Sequence, residues 1–176
     1  MKKNNVVRID KRWEETKVLL ISDLHWDNPK CDRELLKKHL DEALKGNHDI
    51  LINGDLFCLM QGAYDPRKSK SDIRPEHNSA NYFDAIINTA VDWFTPYAHL
   101  IKLVAYGNHE TAILKRQETD IIERFVTLLN YKTGSDIQVG GYGGWIRIQF
   151  NDGNTTQSFK IKYMHGFGGG GAVTRG

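Results

Sequence analysis

The chain has 176 residues, of which 40% are hydrophobic and 26% charged, with a net charge of +2. Those values suit one domain with a substantial core and exclude general disorder. They also exclude a charge strong enough to announce nucleic-acid binding by itself, and no apolar run approaches the ~20 residues that span a bilayer.

The N-terminal "MKKNNVVRIDKRW" starts basic but continues polar where a secretory leader would be apolar, so a cytoplasmic protein is expected. The first predicted strand is "KVLLISD", 17–23, a short apolar run of the kind buried in an α/β sheet. A helix follows over 31–47, with Asp32 as N-cap, Leu35, Leu36, Leu40, Ala43 and Leu44 as its apolar stripe, and Gly46 as its stop. "DILING", 49–54, is the second strand. Residues 61–78 are polar, contain two prolines and have no period, which marks a long loop of functional or mobile type. The next helix is capped near Ser79 and ends around Pro96; strand three, "IKLVAYG", spans 101–107. One helix is expected from Glu110 to Tyr131, stopping near Gly134. From residue 136 onward apolar and polar residues alternate around the turn signal "NDGN", which predicts antiparallel β structure. Two cysteines, Cys31 and Cys58, lack CxxC spacing and read as buried free thiols.

The informative pattern sits where the strands stop. Strand one ends in Asp23-Leu24-His25, strand two in Asn53-Gly54-Asp55, strand three in Gly107-Asn108-His109-Glu110, and the last in His165-Gly166. In open α/β sheets that edge is where ligands bind. Asp23 and His25 are two apart, so on a strand they would share one face and chelate one ion. Taken singly, each aspartate also fits a turn or cap and each histidine a structural role. Coincidence at four successive strand ends is much harder to accept. Two aspartates, an asparagine and two histidines form a mixed oxygen and nitrogen set, which suits Mn, Fe or Zn better than Ca or Mg.

The ordered motifs DLH, GD, GNHE and HG resemble those of the calcineurin-like metallophosphoesterase superfamily, and the match runs from residue 23 to 166. The resemblance implies an α/β fold: a two-sheet β-sandwich flanked by helices, with the site at the sheet edge. It implies two divalent transition-metal ions, manganese first and iron or zinc as alternatives. Asp23 and His25 would hold one ion, Asn108 and His165 the other, and Asp55 would bridge them. His109 would be the catalytic histidine. The expected reaction is hydrolysis of a phosphate ester, a phosphodiester or nucleic acid first and a phosphomonoester second, by a hydroxide bridging the ions. A non-catalytic metal-binding module is the reading from a different class. Glu110 would either orient His109 or be a surface glutamate. Arg67, Lys68 and Arg74 in the polar loop would meet substrate phosphates, with Tyr64 stacking on a base; a solvated loop is the plainer alternative. No membrane partner is implied.

Two departures qualify the match. Cys58 stands where the phosphoprotein-phosphatase branch has an aspartate that supports its catalytic histidine, which disfavours that branch. The family's last motif, GHxH, is absent after His165, so each ion would lack one histidine, and a chain missing its C-terminal part is expected. Weakened metal binding follows, with the Asp23–His25 position the more variable. Read alone, residues 166–171 fit GxGxxG, but only five residues remain, too few for the helix and acidic residue that fingerprint needs.

Overall fold

A computed structural model of the chain describes residues 6–12, 15–61, 65, 68, 72–151 and 153–166. Its strands are β1 (Val6–Arg12), β2 (Val18–Ile21), β3 (Asp49–Asn53), β4 (Ile101–Ala105), β5 (Gln138–Gly140), β6 (Gly143–Asn151) and β7 (Thr156–Met164). The helices are α1 (Arg33–Gly46), α2 (Tyr82–Phe94), α3 (Asn108–Gln117) and α4 (Ile121–Thr133). β2-β3-β4-β5 form an all-parallel sheet. The second sheet, β1-β6-β7, pairs β1 parallel to β6 and β6 antiparallel to β7.

Strand alternation sorts the core into two layers. Leu51, Leu103 and Ala105 point from the parallel sheet toward Val7, Ile9, Ile146, Ile148 and Tyr163 of the other sheet, which makes the sandwich. Ile50, Ile52 and Val104, on the opposite face, pack under Leu36, Leu40, Ile86, Phe94, Phe125 and Leu129 of the helices. Burying each such side chain contributes about 1.5–3 kcal/mol before entropy is counted. Among the described residues the helices cover only that face. The outer face of the other sheet leaves Trp145 exposed. No helix among the described residues is long and apolar enough to cross a membrane.

Several local expectations change. β1 falls in a stretch that looked merely basic and polar. Val7 and Ile9 alternate with Arg8 and Asp10, and only the partner β6 turns that short alternation into a strand. The helix expected over 110–131 is two helices: Glu118 adopts a left-handed φ of 51°, and Asp120 caps α4 by accepting from the Glu123 amide at 3.0 Å. β5 joins the parallel sheet beside β4 rather than the antiparallel hairpin, because it is the strand to which α4 crosses over. Asp32 does cap α1, accepting from the Leu35 amide at 2.9 Å. The helix stop is Asn47 at φ 49°, not Gly46. α2 has its cap position at Asn81, two residues past Ser79.

Candidate metal centre and its surroundings

Parallel strands deliver their C-terminal loops to one edge, and each loop there is bent. The β2 ladder stops at Ile21, and both Asp23 (φ 54°) and His25 (φ 44°) have left-handed backbones, as does Asp55 (φ 48°) beyond β3. The shared-face argument for Asp23 and His25 therefore does not hold, since neither lies on a strand. They converge by another route. The Asp23, His25 and Trp26 amides donate to the carbonyls of Gly54, Asp55 and Leu56 at 3.1, 3.0 and 2.8 Å, so the two loops run on together past the sheet. Ligand atoms of Asp23, His25 and Asp55 then lie within 4.8 Å of one another.

The second group gathers around His165. His165 follows β7, and its Nδ1–H donates to the Asn53 carbonyl at 2.9 Å. A carbonyl only accepts, so this contact leaves Nε2 as the lone-pair nitrogen. That nitrogen lies 3.2 Å from Asn108 Oδ1 and 3.3 Å from Asp55 Oδ2. Three acceptor atoms thus face one another with no proton to share, around a carboxylate that is 3% exposed. A buried anion in that setting calls for a cation, and the donor set fits one. Close approach depends on two glycines. A Cβ on Gly54 (φ 84°) would sit 2.5 Å from His165 Nδ1, and one on Gly107 would sit 2.0 Å from Asp55 Oδ1.

The family profile for calcineurin-like phosphoesterases matches residues 16–169. The chain belongs to this family. It is therefore a phosphoric-ester hydrolase by family, of the metal-dependent kind. No curated protein and no solved structure matches the chain significantly.

In this phosphoesterase, His109 stands beside both groups. Its Nδ1–H donates to the Cys58 carbonyl at 2.6 Å, which turns Nε2 toward Asp55 Oδ2, 3.9 Å away. Its ring meets that of His25 edge to face at 4.7 Å. Glu110 is neither a surface residue nor a partner of the His109 ring. It is 1% exposed and accepts three backbone amides: Gly107 at 2.9 Å, Phe57 at 2.9 Å and Asp55 at 3.2 Å. Burial pushes its carboxyl up to about 7, against the downward pull of those amides. Asp27 plays the matching part on the other side, accepting from the Cys58 and Leu59 amides at 2.5 and 3.0 Å. Sequence reasoning missed Asp27 altogether. Its only signal was a carboxylate two residues past His25, and nothing local shows that its acceptors serve another loop.

Of the residues expected to meet substrate phosphates, Arg74 is engaged elsewhere. Arg74 directs Nε and Nη2 at the Asn28 carbonyl (3.1 and 2.8 Å) and Nη2 also at the Cys31 carbonyl (3.1 Å), which ties the polar loop to the β2–α1 loop. Lys68 is exposed, while Arg67, Tyr64 and the glycine-rich tail from 167 lie outside the described residues. A cavity of about 570 Å³ opens beside Asp23, His25 and His109, walled largely by Leu24, Leu35, Leu36 and Met60.

Proposed function

We propose that the chain hydrolyses phosphodiesters with two manganese ions. The observation that carries this reading is the approach of Asn108 Oδ1 and Asp55 Oδ2 to 3.2 and 3.3 Å of the His165 Nε2 lone pair, acceptors without a proton between them. Asn108, His165 and Asp55 would hold one ion, and Asp23, His25 and Asp55 the other. Divalent ions held there would supply water activation near neutral pH and neutralise phosphate oxygens. Oxygen-rich ligand sets with imidazole suit manganese.

The side chains do the rest. With Nδ1–H held by the Cys58 carbonyl, His109 acts in its doubly protonated form, giving the second proton, on Nε2, to the leaving oxygen of the ester. The apolar cavity beside it supports an ester whose alcohol is bulky and organic. The test is hydrolysis of bis- and mono-nitrophenyl phosphate with Mn²⁺, followed by single-stranded DNA and RNA. The diester is cleaved faster, and His109→Ala lowers kcat by about 10²–10⁴-fold with Mn²⁺ still bound. Faster cleavage of the monoester would move the reading to a phosphomonoesterase. Unchanged kcat in His109→Ala would remove His109 from the role of proton donor.

A further inference from the structure

Cys58 is absorbed by neither candidate ligand group, yet its thiol shares a wall of the cavity with His25 and His109. Ligand atoms of His25, Cys58 and His109 lie within 4.8 Å of one another. Tetrahedral zinc, at ~2.3 Å from sulfur and ~2.0–2.1 Å from nitrogen, needs its donors gathered on this scale. Two further features point the same way. His25 Nδ1 is enclosed and has no hydrogen-bond partner among the described residues, an arrangement buried polar atoms rarely keep without a ligand. Asn28 Nδ2 donates to Cys58 Sγ at 3.5 Å, the sort of contact that steadies a ligating thiolate.

We propose that His25, Cys58 and His109 form a second, alternative metal site, selective for zinc. One thiolate and two imidazoles suit a borderline-soft ion and do not suit manganese, which favours the oxygens of Asp23 and Asp55. Three protein ligands leave a fourth position open toward the cavity, where water completes the tetrahedron. On binding, the Cys58 S–H bond is replaced by an S–Zn bond and the proton passes to solvent; no oxidation state changes. His25 belongs to both groups, so the zinc at this site and an ion on Asp23, His25 and Asp55 exclude each other. The zinc also engages His109. Zinc therefore blocks the hydrolysis proposed above. That consequence rests on the hydrolytic reading, whereas the site itself does not.

The test uses Co²⁺ as a coloured stand-in for zinc on the full chain, so it does not depend on turnover. One equivalent gives a near-ultraviolet cobalt–thiolate charge-transfer band that zinc bleaches. Cys58→Ser abolishes the band and weakens zinc binding by at least about tenfold, while Cys31→Ser keeps it. A band that survives in Cys58→Ser, or that only Cys31→Ser removes, overturns the assignment. X-ray absorption on the zinc-loaded unmutated protein needs no variant: it finds one sulfur at ~2.3 Å. A shell of nitrogen and oxygen alone overturns the proposal. Failure of the hydrolytic reading would instead appear as no manganese-dependent turnover with the cobalt band intact.

Discussion

Asn108 Oδ1 and Asp55 Oδ2 lie 3.2 and 3.3 Å from His165 Nε2, and ligand atoms of Asp23, His25 and Asp55 gather within 4.8 Å of one another by a different route. The difference lies in what holds each group. His165 is tied to the Asn53 carbonyl, and Asn108 opens α3 one residue after Gly107, whose amide is held by Glu110. On the other side, Asp23 and His25 are tied through their backbone amides to the Gly54 and Asp55 carbonyls, His25 Nδ1 has no partner among the described residues, and both backbones are left-handed. Ligands held on secondary structure by buried hydrogen bonds are preorganised; ligands on a kinked loop adjust to their ion.

The largest expected effect breaks the rigid side. Glu110→Ala strands the amides of Asp55, Phe57 and Gly107, which costs about 3–9 kcal/mol of folding stability at roughly 1–3 kcal/mol per stranded amide. Urea unfolding of the metal-free protein measures it. A loss under about 1 kcal/mol would mean that water replaces the carboxylate and the frame is not its doing.

A calorimetric titration with Mn²⁺ compares the two groups directly. Two unequal sites are expected, with Kd values at least about tenfold apart, or roughly 1.4 kcal/mol. Asn108→Ala removes the tighter site and Asp23→Ala the weaker. Two equal, tight sites would erase the contrast.

Acid tests the loop side and is the smallest effect. His77 is fully buried, packs its ring 5.6 Å from that of Trp26, and bonds Thr89 Oγ1 through Nε2 at 2.9 Å. Burial lowers its pKa below the ordinary value, and Arg33 lowers it further, while Glu76 and Asp27 pull it up. The unfolded chain then takes up the proton first as pH falls through about 6.5. Stability is full above that value and declines below it, and His77→Phe flattens the decline. A variant with the same pH profile as the parent would show that His77 does not set it.

The candidate site was legible because its residues cluster in short motifs at the ends of apolar runs. Asp55 sits two residues after Asn53 and His109 two after Gly107, and a short span of chain preserves such neighbours whatever the register. The joins were not legible. β1 needs β6, far along the chain, before Val7 and Ile9 have a face to fill, and the helix break at Glu118 shows only in its left-handed φ. Glu110 illustrates the limit most sharply. Its place beside His109 suggested a partner for that ring, but its oxygens reach instead to amides more than fifty residues away.

The amino-acid sequence by itself determined the ligand chemistry, the order of the motifs and the apolar runs that bring them to one edge, because those depend on residue type and local spacing. Tertiary structure decided the rest. It set which aspartate reaches the candidate metal centre and which clamps a loop, which nitrogen of His109 and His165 faces that centre, and that Cys58 stands beside two histidines. Those outcomes depend on hydrogen bonds and approaches between loops that meet only when both sheets are formed.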